Sequence, residues 1–268
     1  MSSLIFNYIH WNLNPEVLPG LLPVRWYGLL FMSGFVFGFY IMRSMYMRAG
    51  KDLASLDNLS LYVGLGTILG ARLGHCLFYE ADYYLSHPVQ MLYVWEGGLA
   101  SHGAVIGILI STYLYGRRYP DTDFWFVTDR LVVVIALAGS LIRLGNLANS
   151  EIYGLPTTVP WAFVFERLKD DIPRHPTQLY ESAYYMFCFL ILYRIYWKTS
   201  KAQQKGFLLG LFMVMIFGFR FVIEFWKENQ VEMENGMDFN LGQMLSVPVV
   251  ITGFILMFRN IRKTISNP

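Results

Sequence analysis

The chain has 268 residues, of which 55% are hydrophobic and only 15% are charged, and its mean hydropathy is +0.39. This composition excludes an ordinary soluble domain and predicts a protein that crosses a membrane several times. The net charge of +2, without a basic patch outside short loops, predicts no nucleic-acid partner.

Apolar segments of the length needed to cross a hydrocarbon core recur along the chain. Residues 1–22 lack the basic start of a cleavable signal peptide, so the first apolar segment is expected to direct insertion. We predict an all-α, polytopic membrane protein in which residues 1–268 form a single domain. Its seven transmembrane helices are predicted near 24–42, 58–79, 99–116, 124–143, 178–197, 206–226 and 240–258.

The connections between the predicted spans differ in basic residues, which are enriched in cytoplasmic loops. Residues 80–98 contain no Lys or Arg and 227–239 contain only Lys227, whereas the alternate connections are basic. The longest of the less basic connections, 144–177, has three basic residues that four acidic residues partly offset: Arg167, Lys169 and Arg174 against Glu151, Glu166, Asp170 and Asp171. This asymmetry predicts an outer N-terminus, a cytoplasmic C-terminus and an outward-facing loop or head region at 144–177. The basic residues are Arg43, Arg48, Lys51, Arg117, Arg118, Lys198, Lys201, Lys205, Arg259, Arg262 and Lys263.

The glycines and cysteines of the predicted spans are interpreted as structural residues. Glycines four residues apart, at 34/38, 66/70, 70/74 and 103/107, are typical of closely packed membrane helices. Cys76 and Cys188 lie in apolar segments and are predicted to be buried thiols. Neither cysteine has the spacing of a metal ligand, and we predict no metal site and no cofactor.

Polar side chains collect where the fourth predicted span meets the outer face. Arg143 ends an apolar run and is followed by Asn146, Asn149 and Glu151. A charge at the margin of a membrane segment is costly, which makes it a candidate functional residue. An arginine followed by amide side chains is suited to hold an anion such as a phosphate.

Tyr27, Arg72, His102 and Arg220 are predicted in the same outer half on four other spans. For three of them, a purely structural role is an alternative to a role in binding or catalysis. Arg220 can pair with a glutamate one turn later, Arg72 can pair with Glu80 or cap a loop, and His102 can be a satisfied interface histidine. The glycines beside His102 favour a role near a ligand, because they allow the backbone to bend.

The fifth span begins with the segment 175–181, His-Pro-Thr-Gln-Leu-Tyr-Glu, whose proline suits the first turn of a helix. Gln178, Tyr180 and Glu181 are expected to anchor this helix or to orient the arginines. Arginines that hold a phosphate, together with a histidine able to act as a base, suit chemistry on a phospholipid headgroup.

The chain resembles the bacterial prolipoprotein diacylglyceryl transferases along nearly its whole length. Each shared motif is modest, but their order on seven predicted spans is highly specific. The motifs are Arg25-Trp-Tyr27-Gly, Gly70-Ala-Arg72-Leu-Gly, Trp95-Glu-Gly-Gly-Leu-Ala-Ser-His102-Gly, Arg143-Leu-Gly-Asn146 through Glu151, His175-Pro-Thr-Gln-Leu-Tyr-Glu181 and Phe219-Arg220-Phe-Val-Ile-Glu224-Phe.

The resemblance implies a multi-pass transferase of the bacterial inner membrane whose active site faces outward. Its expected partners are phosphatidylglycerol, membrane lipids and prolipoprotein signal peptides. Diacylglyceryl would pass to the lipobox cysteine as a thioether, with release of glycerol 1-phosphate. The expected catalytic residues are His102, Arg143 and Arg220. The expected phosphatidylglycerol contacts are Arg143, Arg220, Tyr27, Asn146, Glu151 and Arg72.

Three residues depart from the family pattern, which usually has glycine, phenylalanine and glycine where Ile142, Leu147 and Ser150 stand. They spare every polar group of the motif. Two other functions also require buried arginines. A transporter is expected to show repeated halves, and none is evident; a membrane acyltransferase would need an acyl-donor site. A purely structural scaffold does not explain the clustered charges.

Overall fold

The computed structural model describes residues 8–228 and 239–265, and these are mainly helical. A long helix lies at each of the seven predicted positions, while the first seven residues of the predicted outer N-terminus lie outside the described residues. In chain order the helices are α1 (Trp26–Arg48), α2 (Leu53–Phe78), the short α3 (Ala81–Ser86), α4 (Ser101–Arg118), α5 (Phe124–Asn149), α6 (Thr177–Lys198), α7 (Phe207–Ile223) and α8 (Leu241–Ile265).

Five segments of the described chain are long and apolar enough to span a membrane, and α4 and α6 are not among them. Large apolar side chains such as Phe37, Leu61 and Leu245 are exposed on these helices. Such exposure is unfavourable in water and suits contact with lipid, which supports a membrane protein. The five segments are Trp26–Arg48, Leu53–Phe78, Phe124–Asn149, Phe207–Trp226 and Leu241–Arg259.

The chain divides into two compact units, here called unit 1 (residues 1–38 and 131–268) and unit 2 (residues 39–130). In unit 2, glycines of α2 face glycines of α4. A Cβ on Gly74 would lie 2.6 Å from the Cα of Gly103, so only glycine, which has no Cβ, fits where these two helices cross. The predicted glycine-mediated packing is confirmed here.

Small side chains also bring the helices of unit 1 together. A Cβ on Gly34 of α1 would lie 3.1 Å from the Cβ of Ala138 on α5. Between α5 and α6, Ser140 Oγ donates to the carbonyl of Ser182 at 2.9 Å, and Ser182 Oγ donates to the carbonyl of Ser140 at 3.0 Å. These reciprocal bonds fix the register of α5 against α6.

Short strands add a small head to unit 1 that the all-α prediction did not include. β1 and β4 pair in parallel, β4 and β5 pair antiparallel, and β2 with β3 forms a hairpin directly before α1. Segments this short show too few alternations to be recognised by periodicity. The strands are β1 (Ile9–Trp11), β2 (Glu16–Leu18), β3 (Leu22–Arg25), β4 (Phe163–Phe165) and β5 (Pro173–Arg174).

Helix α5 continues through Asn149, whereas the predicted span ended at 143 and was followed by a loop. The head explains this difference. Leu147 is buried against Phe163 and Phe165, and its carbonyl accepts a bond of 2.9 Å from the indole of Trp11. Tertiary packing therefore keeps a polar sequence helical beyond the apolar run.

Candidate functional site

Arg143 lies near the C-terminal end of α5, where neighbouring side chains of α5 and α6 hold its guanidinium. Its Nε forms an ion pair with Oε2 of Glu181 at 3.2 Å, and its Nη1 donates to Oδ1 of Asn146 at 3.1 Å. Glu181, on α6, is fully buried. The expectation that the start of α6 orients an arginine is therefore confirmed for Glu181.

The two asparagines that follow Arg143 both contact one carboxylate. Asn146 Nδ2 donates to Oε1 of Glu151 at 2.8 Å, and Asn149 Nδ2 donates to the same oxygen at 3.2 Å. These amides were expected to face an anion from outside the chain. Their bonds instead connect Arg143, through Asn146, to Glu151.

The turn that carries Glu151 has an unusual backbone. Ser150 has φ of 56° and Ile152 has φ of 58°, in the left-handed region that favours glycine. Gln178 Nε2 donates to the carbonyl of Glu151 at 2.8 Å, and Thr177 Oγ1 donates to that of Ile152 at 3.1 Å. The first turn of α6 therefore holds this turn in place.

Tyr27 reaches the same cluster from the first turn of α1. Its ring lies against Gly145, where an added Cβ would be 2.8 Å from Cδ2 of the tyrosine. The Tyr27 hydroxyl is within electrostatic reach of Glu151 and Arg143. A glycine between Arg143 and Asn146 thus allows α1 to approach the polar end of α5.

Arg220 lies on α7, and its Nε is 3.6 Å from Oε1 of Glu224, as the ion-pair alternative predicted. Glu224 has two further partners: Lys227 Nζ at 3.4 Å and Asn240 Nδ2 at 3.1 Å. Lys227 Nζ also lies 3.7 Å from Oε1 of Glu181. Lys227 thus connects the carboxylate beside Arg220 with the carboxylate beside Arg143.

Sequence reasoning missed Lys227 as a site residue and counted it as a loop cation. The structure instead buries its side chain to 2% exposure. The available signal was its position three residues after Glu224, which suits a pair on one helical turn. Nothing local indicated the second partner, Glu181, because that contact joins segments distant in the chain.

Arg72 belongs to unit 2 and is fully buried there. It donates to the carbonyls of Gln90, Met91 and Gly97 at 2.7, 3.1 and 2.6 Å. This arrangement is the loop-capping alternative. The other predicted partner, Glu80, lies 3.4 Å from Nε2 of His75 instead.

His102 also belongs to unit 2, in the first turn of α4, and its side chain is exposed. The ring centroids of Phe78 and Tyr79 lie 5.4 and 5.6 Å from that of the histidine. Gly97 and Gly98, just before α4, have φ of 89° and 65°. The predicted bend of the backbone before His102 is therefore present.

Titratable groups in the head show shifted pKa values. The pKa of Asp170 is lowered, chiefly by a hydrogen bond from Arg174, and burial lowers the pKa of His175. His175 Nδ1 is 3.3 Å from the hydroxyl of Tyr180, which accepts a bond of 2.8 Å from the indole of Trp161. These contacts fix the segment that leads into α6.

No cluster of three or more His, Cys, Asp or Glu side chains suited to a metal occurs within 8–228 and 239–265. Both cysteines are free and buried, as predicted. The predicted residues Tyr27, Arg143, Asn146, Glu151 and Arg220 are all found in unit 1.

Comparison with known proteins gives the chain its family. A family model described as prolipoprotein diacylglyceryl transferase matches residues 16–259. The chain belongs to this family. It is therefore an enzyme, and the resemblance inferred from the motifs is confirmed.

Curated members of the family resemble the chain over almost their whole length, and each is named a phosphatidylglycerol–prolipoprotein diacylglyceryl transferase. The protein of Chloroherpeton thalassium is 44% identical over 258 residues, 96% of each chain. That of Tolumonas auensis is 46% identical, covering 93% of this chain and 96% of its own. That of Bacteroides fragilis is 43% identical, covering 96% and 97%.

Proposed function

We propose that the chain transfers the diacylglyceryl group of phosphatidylglycerol to the lipobox cysteine of a prolipoprotein signal peptide. The products are a thioether-linked lipoprotein precursor and glycerol 1-phosphate. Membership of the family supports the reaction. The observation that supports its location is the buried network of Glu181, Lys227 and Glu224, which holds Arg143 and Arg220.

The cations of this network are held in fixed positions that suit an anionic substrate. Arg143, Arg220 and Lys227 contact the carboxylates of Glu181 and Glu224. A third carboxylate, Glu151, is linked to Arg143 through Asn146. Because carboxylates already hold both guanidinium groups, little reorganisation is needed when charge develops on the phosphate.

The reaction requires the acceptor thiol to lose its proton, and a free thiol has a pKa of about 8.5. We assign His102 as the base, directly or through water. The thiolate forms a bond to the terminal glyceryl carbon, and the bond from that carbon to the phosphate oxygen breaks. The electron pair remains on the departing phosphate, which Arg143 and Arg220 stabilise.

The remaining residues of the proposed site orient these groups. Tyr27, Asn146 and Glu151 are proposed to contact the headgroup or to hold Arg143 in position. Arg72 is proposed to support the lipid site through the loop 90–97, because the backbone already uses donors on all three of its guanidinium nitrogens. The mechanism requires no cofactor.

We further propose seven spans within one domain, with α4 and α6 included. Their lengths of about 27 and 33 Å are comparable to the hydrocarbon core. Basic residues after alternate spans favour an outer N-terminus, a cytoplasmic C-terminus and an outward-facing 144–177 region. This arrangement suits the inner membrane, with the active site facing outward.

Arg143→Ala tests the location of the reaction. We expect transfer from labelled phosphatidylglycerol to a lipobox peptide to fall by about 100-fold or more, as when one donor to a developing charge is removed. The exposed Arg117, near the end of α4, provides a matched control as Arg117→Ala. Near-normal turnover by a folded Arg143→Ala protein would contradict the proposal.

A further inference from the structure

A cavity of about 470 Å³ lies in unit 1 where the hairpin β2–β3 leads into α1. Val24, Leu29 and Met32 give it an apolar wall, while Arg25, Tyr27 and Asn149 provide polar groups. Gly28 also lines it. The volume is within the range of small-ligand sites, and apolar walls with a few polar groups are typical of them.

Arg25 differs from the other arginines near a proposed substrate site. Arg143 and Arg220 pair with carboxylates, and Arg72 is held by carbonyls. Among residues 8–228 and 239–265, the Arg25 side chain has no hydrogen bond and no ion pair within 4.0 Å, although Glu16 is its cross-strand partner. Its guanidinium is therefore available to a ligand.

The apolar wall belongs to a surface suited to lipid. Leu29 is 43% exposed and Met32 is 56% exposed, and both lie on α1, which is apolar enough to span a membrane. Arg25 directly precedes this helix. A cation at the end of a spanning helix, beside an exposed apolar wall, complements a phosphate attached to acyl chains.

We infer that this cavity is a subsite for an anionic phospholipid, with Arg25 contacting the headgroup phosphate and Leu29 and Met32 contacting an acyl chain. The inference rests on the proposed function. It adds a lipid contact, Arg25, outside the Arg143 network. Tyr27 and Asn149 line the cavity and also interact with Glu151, so the bound lipid lies beside that network.

A contact made equally in the bound lipid and in the transition state raises KM when it is removed and leaves kcat unchanged. For Arg25→Gln we expect KM for phosphatidylglycerol to rise about tenfold, as for loss of one charge-assisted contact, with kcat within about twofold. Arg25→Lys, which retains the charge, should recover part of the affinity. Arg43→Gln changes an exposed arginine near the other end of α1 and should behave as the unaltered protein.

Gly28→Leu tests the apolar part without removing a charge. An added Cβ on Gly28 meets no heavy atom within 4 Å, so leucine extends toward the cavity without a backbone collision. Leucine also favours a helix more than glycine, which protects folding. We expect a severalfold rise in KM. Gly64→Leu is the matched control, since its Cβ also meets no atom within 4 Å and it lies outside the cavity.

Both variants are tested as purified full-length protein. KM is measured by titrating phosphatidylglycerol at a fixed concentration of the lipobox peptide. Retention of phosphatidylglycerol or phosphatidylethanolamine by the protein is measured by native mass spectrometry. Preferential retention of phosphatidylglycerol should be lost in Arg25→Gln. Unchanged KM and unchanged retention in Arg25→Gln would overturn the subsite. Inorganic phosphate is also tested as a competitor of phosphatidylglycerol in the unaltered protein and in Gly28→Leu. Equal inhibition of the two proteins would show that the apolar wall does not contribute to lipid binding, and would also overturn the subsite. Absence of transfer by the unaltered protein would instead overturn the proposed function.

Discussion

At the residue scale, the charges of the proposed site are arranged as a chain of contacts. Arg143 and Arg220 lie on different helices, and each pairs with its own glutamate. Lys227 lies between these two carboxylates with its side chain almost fully buried. An unpaired charge would be strongly unfavourable there, so each member stabilises the others.

Lys227→Met tests this interdependence. The change leaves Glu181 and Glu224 without their shared cation, and breaking a buried pair typically costs about 3–5 kcal/mol. We expect a lower melting temperature in detergent together with reduced transfer activity. Lys198→Met, at the exposed end of α6, should change neither measurement. Normal stability and activity of Lys227→Met would show that the network does not depend on the lysine.

His102→Gln tests the assigned base through the pH profile of transfer. If His102 removes the thiol proton, the deficit should be greatest near neutral pH and should shrink as pH rises past the free-thiol pKa of about 8.5. The reason is that the acceptor is then already ionised. An equal deficit at every pH would assign His102 to substrate positioning. The same profile for Arg143→Ala serves as the comparison, because loss of anion stabilisation should persist at high pH.

At the scale of elements, the end of α5 and the beginning of α6 together position Arg143. Bonds from Thr177 and Gln178 hold the turn at 150–152, and Glu181 one turn further along α6 holds Arg143. The head also stabilises the end of α5, because it buries Leu147. The position of Arg143 thus depends on three segments that are separate in the sequence.

Ser150→Gly tests the strain in this turn. A left-handed backbone costs a non-glycine residue about 1 kcal/mol or more, and Ser150 Oγ is buried without a hydrogen-bond partner among the described residues. We expect the substitution to raise the melting temperature by roughly 2–4 °C and to preserve activity. Ser60→Gly, at a helical position in α2, should lower it. A decrease for Ser150→Gly would show that the hydroxyl contributes more than the strain costs.

At the scale of the whole molecule, orientation is a separate proposal from fold. It rests on basic residues that follow alternate helices, whereas the proposed location of the phosphate-binding arginines rests on contacts within unit 1. The two agree, because the C-terminal end of α5, the 144–177 region and the beginning of α6 all lie toward the face assigned to the outside. An outward-facing site would receive a peptide already carried across the membrane.

Cysteine labelling in intact cells tests this orientation. Cys76 and Cys188 are buried, so they should react slowly, and Lys169→Cys and Lys201→Cys introduce exposed thiols at opposite ends of α6. An impermeant maleimide added outside should label Lys169→Cys directly. Labelling of Lys201→Cys should require permeabilised cells. The reverse pattern would place the 144–177 region in the cytoplasm.

The sequence by itself determined the helical class, the positions of seven long helices and the family, because membrane helices satisfy their own backbone and need only a local apolar run. It also identified Arg143 and Arg220 as costly charges. Only the tertiary structure decided where α5 ends, that Asn146 and Asn149 donate to Glu151, and that Lys227 is buried between two glutamates. Those outcomes depend on contacts between distant segments, which local composition and periodicity do not encode.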